Sequence, residues 1–448
     1  MTTLHTNAAA RVERIVRAQL SAALAGARPR RILIKPNWVM HEVDPRWPIA
    51  AMITDSRVVD AVARGCLDQF PTATVLVGDC PELRASWPLM RRQSGLDAVI
   101  ERLVAEYGDR IAFRDLRKEV CREVDGRLVP EDSVEHGDAA GYREVQLRAT
   151  SHLEPLSSQA DAFSIHDHDV NTTRQYHRPG DHRYLVCQSV LDADLIVNLP
   201  KWKAHSKAGL TGALKNLVGI NGDKSYLPHF RRGSPKWGGD EYVDDGRWLY
   251  WLQNNLHLMV KGTIALDLLR PAWRIVKSIE NARRRRARTR AMPADFYVVG
   301  GSWYGNQTVW RMVYDLNLVV QCVDRHGALQ PSPQRDYFCI VDGLVSGGGD
   351  GPLKATPVDT DMLICGHDPF AVDAVLAWCM GFDPDAIPLV ERRHQYLGPQ
   401  WGTFDWRTMQ LEVDGRITAL AESSINFAFE PPPGWLGHVE RHRPQPAA

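Results

Sequence analysis

Two lysines and a histidine stand together in "NLPKWKAH" (Asn198–His205), directly on the apolar run "DADLIVNLP". From Asn198 to His229 the chain packs five lysines, two histidines and four glycines. A buried strand has no use for such charge, whereas a site that holds an anion and moves a proton does. His205 has the residue type for proton transfer near neutral pH. Lys215 follows Gly212 by three residues and Thr211 by four. On a helix these are neighbours, so small residues leave room for a group to approach or attach to the lysine. Ten residues separate His205 from Lys215, about 15 Å of rise on one continuous helix. His205 therefore belongs to the preceding loop if the two share a site. Lys35, Lys201 and Lys203, with Asn37 and Thr211, are the candidates to hold anionic substrate groups, and Lys215 to bind a cofactor or an anion.

Histidines form a second signal. His166, His168, His177, His182, His205 and His229 fall within 64 residues, interleaved with Asp167, Asp169 and Asp181. Such a set can bind a divalent metal, although the spacing fixes neither metal nor geometry, and solvated histidine loops are common. The third signal is "VSGGGDGP" (Val345–Pro352), whose backbone N–H groups at Gly349 and beside Asp350 could cradle an anion. It matches neither a Walker A loop nor a dinucleotide fingerprint. "GGSWYGNQTVWRMVYDLN" (Gly300–Asn317) offers Asn306, Trp310 and Arg311 as a substrate-side loop running into a helix.

These residues need elements to position them. "RRILIKPNW", a helix over 54–70 capped by Thr54 or Asp55, and "TATVLVGDCPE" read as β–α–β. Residues 83–185 read as polar and irregular, more loop than core, and 247–290 as helical, ending in the basic run "NARRRRARTR" (Asn281–Arg290), which suits a solvated helix face. "RDYFCIVDGLVSGGGDGPL" is a strand and a glycine loop. "TDMLICGHDPFAVDAVLAWCMGF" is a strand and a helix with Asp368 as N-cap and Pro369 at its first position. Four strand ends thus carry "KPN", "GDCPE", "NLPKWKAH" and "GGGDGP". Turn-making explains each alone, but together they predict one site, since ligands of open parallel sheets sit beyond the carboxyl ends of the strands. The expected fold is α/β: two doubly wound, Rossmann-like domains over 1–290 and 291–440 with a cleft between them, and a disordered tail at 441–448.

Bulk properties narrow the partners to a small molecule. Lys+Arg and Asp+Glu both total 54 in 448 residues, so no global field draws nucleic acid or membrane. Neither an export signal nor a membrane span is evident. Eight cysteines without a CxxC argue against an iron–sulfur cluster and fit reduced thiols in a cytoplasm.

With "KPN", the "TD" opening the next helix, "VGD" (Val77–Asp79), "DLIVNLPKWKAH", "LTGALKNLVG" and "AVDAV" (Ala371–Val375), the chain resembles the family catalogued as domain of unknown function 362. More distantly, "AHSKAGLTGALK" is similar to a block of the lactate racemase family, matching at His205, Ala208, Gly209, Gly212 and Lys215. That resemblance implies His205 as a catalytic acid/base, Lys215 as holder of a nickel-pincer nucleotide, and His229 as a nickel ligand. Where that family has its second catalytic histidine, this chain has Cys80-Pro81-Glu82. A loop histidine, His182 foremost, is then expected to supply the missing group. The implied activity is acid/base isomerisation or epimerisation of a small, polar, anionic metabolite. A phosphate-dependent transferase and a non-catalytic binding protein are the alternatives.

Overall fold

The computed structural model describes residues 2–124, 127–131, 135–165, 170–243, 300–399 and 401–441. His166, His168, Asp167, Asp169, the helical stretch and basic run of 247–290, and all but the first residue of the 441–448 tail lie outside them.

One eight-stranded sheet organises these residues. Its strands are β1 (Arg31–Pro36), β2 (Thr74–Asp79), β3 (Ile111–Asp115), β4 (Leu195–Leu199), β5 (Lys201–His205), β6 (Gly209–Thr211), β7 (Asp336–Asp350) and β8 (Lys354–Gly366). β3, β2, β1, β4 and β7 lie side by side, all parallel. β5 continues β4 past Pro200 along the same edge of β7, with Lys201 opposite Asp342 and Lys203 opposite Gly347. β8 runs antiparallel on the other edge of β7, and β6 folds back on β5.

The α/β class is as the sequence implies. The strand of the second half, β7, lies within the sheet built by the first, so the two halves share one sheet. The expected boundary at 290 lies outside the described residues.

Period-two alternation splits the apolar strand residues between two cores. Ile32 and Ile34, with Val75, Val77, Leu195 and Val197, face helices α1 (Thr2–Ala23) and α2 (Ser56–Gln69). Leu33, Ile196, Cys339 and Val341 belong to the other core with α5 (Val309–Cys322) and α6 (Pro369–Met380). Asp55, not Thr54, caps α2, accepting from the Arg57 N–H. Asp368 caps α6 through the N–H groups of Phe370 and Ala371, and Gly381 ends it in the left-handed conformation.

Residues 83–185 are not the loop the sequence suggested. They include α3 (Leu96–Tyr107) and β3, and an antiparallel pairing of 142–146 with 183–187. Leu96, Val99 and Leu103 of α3 are buried at helical spacing, so the signal lay in a segment whose many charges masked its apolar stripe.

Candidate functional site

Hydrogen bonds and ion pairs tie the carboxyl ends of the strands together. Beyond β1, Lys35 is sealed and its Nζ lies 2.7 Å from Oδ1 of Asp79, the last residue of β2. Asn37 Nδ2 donates to Asn216 Oδ1 at 2.8 Å, and Asn37 Oδ1 accepts from Lys203 Nζ at 2.9 Å. Lys201 Nζ pairs with Asp342 Oδ2 at 2.8 Å, both side chains fully buried. The Ser206 N–H reaches the Gly351 carbonyl at 2.9 Å. The four polar strand ends thus converge, as expected from parallel-sheet topology.

Not every candidate has the expected part in this convergence. Gly347–Gly349 pair residue by residue with 355–357 as a β-ribbon, not as an anion cradle. A Cβ on Gly347 would meet the Ala51 carbonyl at 2.7 Å, so the glycine run serves close backbone approach. The Gly349 N–H donates to Glu430 O, and Asp350 is exposed. His182 is also placed elsewhere. It is fully buried, with Nε2 2.9 Å from Ser157 Oγ and 3.0 Å from Glu154 Oε2, and Nδ1 3.3 Å from His177 Nδ1. His177 Nε2 donates to the Tyr226 carbonyl at 2.7 Å, and burial pushes its ring down to about 4. Among the described residues, no bond from this pair goes to the Lys215–His205 cluster. Their nitrogens are used up on Ser157, Glu154, each other and the Tyr226 carbonyl. Asn306 holds backbone: its Nδ2 donates to the carbonyls of His229 and Gly301. Trp310 is buried, with the Arg311 guanidinium 4.0 Å over its ring.

Lys215 stands on α4 (Ala213–Asn216), a single turn clamped from both sides. Asp373 of "AVDAV" accepts the N–H of Ala213 at 2.6 Å and of Leu214 at 3.2 Å. A Cβ on Gly212 would lie 2.0 Å from Asp373 Oδ1, so only glycine admits this carboxyl. Burial pushes Asp373 up to about 8, against the pull of the two N–H donors. Asn216 Nδ2 is shared between Lys35 O and Asn198 Oδ1. The backbone of Lys215 is therefore fixed. Its ammonium is not: Nζ has no hydrogen-bond or ion-pair partner among the described residues, although the residue is only 9% exposed. Burial, then the charges of Lys224, Lys207 and Lys35, brings this amine down to about 7.

The neighbouring lysines differ. Burial holds Lys35 down despite Asp79, and holds Lys203 well down, with Lys201 and Lys215 adding repulsion. Lys203 Nζ is sealed between Asn37 Oδ1 and the Met52 carbonyl. Lys224 Nζ donates to Cys80 O at 2.7 Å, and Lys207 Nζ to Gly300 O. Among the described residues, the carboxylates of the cluster serve Lys35 and Lys201, leaving Lys203, Lys215 and Lys224 without one. Thr211 Oγ1, on β6 opposite Lys203, is buried without a partner among the described residues.

His205 and His229 both lie within electrostatic reach of Lys215, and of each other. Burial first, then the lysine charges, holds both rings well below the ordinary imidazole value, so both are neutral at pH 7. Their tautomers follow from local backbone. The Lys207 N–H donates to His205 Nδ1 at 3.1 Å, which leaves the ring proton on Nε2. His229 Nδ1 lies 2.8 Å from the Leu227 carbonyl, which only accepts, so the proton is on Nδ1 and Nε2 offers a lone pair. Neither Nε2 has a partner among the described residues. The site thus holds one donor imidazole and one acceptor imidazole beside a bare amine.

His229 was expected to ligate a metal. Among the described residues no group of three or more His, Cys, Asp or Glu side chains gathers to hold one, so a metal on His229 would need its other donors from outside this set. Lys215, with no partner on Nζ among the described residues, fits the attachment point that a cofactor would need, although the space beside Gly212 is taken by Asp373.

The chain belongs to the family described as domain of unknown function (DUF362), whose profile matches residues 119–378, more than half of its length. The match takes in β4 to β7, Lys215, both site histidines and Asp373; Lys35, Asn37 and Asp79 precede it. No curated protein matches the chain. A crystal structure of a protein from Thermotoga maritima shares 8% identity with it at a TM-score of 0.35, over 79% of this chain and 54% of that one. This chain therefore spans about half the length of that protein. Among the described residues, no helix is long and apolar enough to cross a membrane.

Proposed function

We propose that this protein is an enzyme acting on a small anionic metabolite by proton transfer of the isomerase or epimerase type. The observation that carries the reading is the buried cluster of lysines in excess of its carboxylates, with two neutral histidines of opposite tautomer. Uncompensated buried ammonium groups cost several kcal/mol each, and an anionic ligand offsets that cost. Thr211 Oγ1 and Lys215 are the groups best placed to meet the ligand, with Lys203 behind Asn37. His229 Nε2 takes a proton from an acidic carbon, and His205 Nε2–H donates a hydrogen bond to the oxygen on which negative charge develops. Cytoplasmic thiol chemistry fits eight cysteines that are all free and, Cys365 apart, buried. If a pincer nucleotide is bound, Lys215 would attach it and His229 would face its metal; it would supply hydride acceptance, while the lysines would still hold the anion. Phosphate-dependent transfer has less support, since the glycine run is engaged as β-ribbon.

The test covers a substrate class in place of one compound. A panel of small 2-hydroxy and 2-oxo acids is incubated with the protein in D2O and followed by NMR. The reading expects binding of members of the panel and deuterium on one acidic carbon, both lost in Lys215→Ala and the second lost in His229→Gln. Absence of binding across the panel would overturn it.

A further inference from the structure

The unused amine of Lys215 asks for a role beyond charge. Lys35 and Lys201 are sealed against aspartates, Lys203 is sealed against two oxygens, and Lys207 and Lys224 tie carbonyls of neighbouring loops. Lys215 alone in the cluster keeps some exposure with no oxygen on its nitrogen among the described residues. Its backbone is locked by Asp373 and Asn216, so the side chain starts from a fixed point. A lysine meant only to grip an anion needs to stay charged. The burial and the surrounding lysines do the opposite and favour the free amine, the form with a nucleophilic lone pair.

We infer that Lys215 is an imine-forming nucleophile and that the metabolite is a 2-oxo acid. This rests on the anion-site reading above and names its substrate class. The carboxylate of a 2-oxo acid answers the excess positive charge, and its adjacent carbonyl carbon meets the amine. Lys215 Nζ adds to that carbon, giving a carbinolamine. The C–O bond then breaks as C=N forms, and the two protons of the amine leave with the carbonyl oxygen as water. His229 Nε2 takes a proton from the nitrogen and returns it to the departing oxygen, while His205 Nε2–H holds that oxygen. The imine then makes the neighbouring C–H acidic: its proton passes to His229 Nε2 and from there to the imine nitrogen, while the C–H electron pair forms C=C and the C=N pair returns to nitrogen, giving an enamine. No oxidant or reductant is consumed.

The experiment is reductive trapping. The full-length protein is incubated with pyruvate, oxaloacetate or 2-oxoglutarate and borohydride, and the intact mass and peptide map are read. One reduced adduct on Lys215 is expected, forming faster as pH rises through about 7. Lys215→Arg keeps charge and removes the nucleophile, so it should lose the adduct while still binding lactate, an anion without a carbonyl. Its unfolding transition shows whether it is folded, and Lys118→Ala, at an exposed lysine, should trap as the wild type does. Binding of pyruvate and lactate without any adduct on Lys215 overturns the imine and leaves the anion site standing. Adducts confined to exposed lysines overturn it equally. Failure of both acids to bind removes the anion site and the imine with it.

Discussion

Two histidine pairs among the described residues differ in what their nitrogens touch. At His177 and His182 every ring nitrogen has a partner: the Tyr226 carbonyl, the other ring, Ser157 and Glu154. At His205 and His229 one nitrogen of each ring is fixed by nearby backbone and the other is open among the described residues. His177, His182 and His205 are buried and His229 is half-buried, and all four lie in the same histidine-rich part of the sequence. Satisfied nitrogens mark a group that holds the fold together, while open nitrogens beside unneutralised lysines mark a group that waits for a ligand. The lysines repeat the contrast: Lys201 is closed on Asp342, and Lys215 is open.

Breaking this contrast should give effects of different kinds. The largest falls on chemistry: His229→Gln should slow deuterium incorporation by about 10²–10⁴-fold, the usual worth of a general base, with little change in the unfolding midpoint. Next, Lys201→Met leaves Asp342 buried without its cation and should destabilise the fold by about 3 kcal/mol in denaturant titration, even though the Asp55 and Leu344 N–H groups still serve that carboxylate. His182→Leu removes the bonds to Ser157, Glu154 and His177 and should cost about 1–3 kcal/mol. It should leave lactate binding at the wild-type level. If His182→Leu abolishes binding while His229→Gln does not, the two pairs have been assigned the wrong way round.

The smallest effect sharpens the lysine side. In the folded protein Lys215 titrates near 7, against 10.5 for an unburied lysine. Between these values the unfolded chain carries a proton that the folded chain lacks, so this residue's contribution to stability rises with pH. Below about 7 the full cost of the buried ammonium is present; above 10.5 it is gone. Lys215→Met should therefore stabilise the protein by about 1 kcal/mol at pH 6, and by less at pH 9. Melting curves at the two pH values measure the difference.

Much of the site could be read in the sequence because charge following an apolar strand has no structural reason to be there. "KWKAH", Lys215 with its glycines, and "KPN" declared themselves in this way. Their division of labour did not, because it depends on carboxylates distant along the chain: Asp79 for Lys35 and Asp342 for Lys201. Asp373, which fixes α4, lies in an apolar helix, and no spacing ties it to Gly212. The histidine roles were hidden for a related reason. Which nitrogen of His205 or His229 is open depends on one backbone N–H and one carbonyl, and no spacing encodes either. The triple glycine misled because a cradle for an anion and a closely packed β-ribbon both require bare backbone. The helix α3 was legible from Leu96, Val99 and Leu103, but its charges led to a reading as loop.

The tautomers of His205 and His229 carry the central claim, and nitrogen-15 NMR of the imidazole rings observes them without any substrate. At pH 7 the account predicts two neutral rings, His205 protonated on Nε2 and His229 on Nδ1, with the Nε2 signals of both shifting when lactate is added. Assignment through His205→Gln and His229→Gln identifies each ring. A protonated imidazolium at either position at pH 7, or the proton on the same nitrogen of both rings, would contradict it.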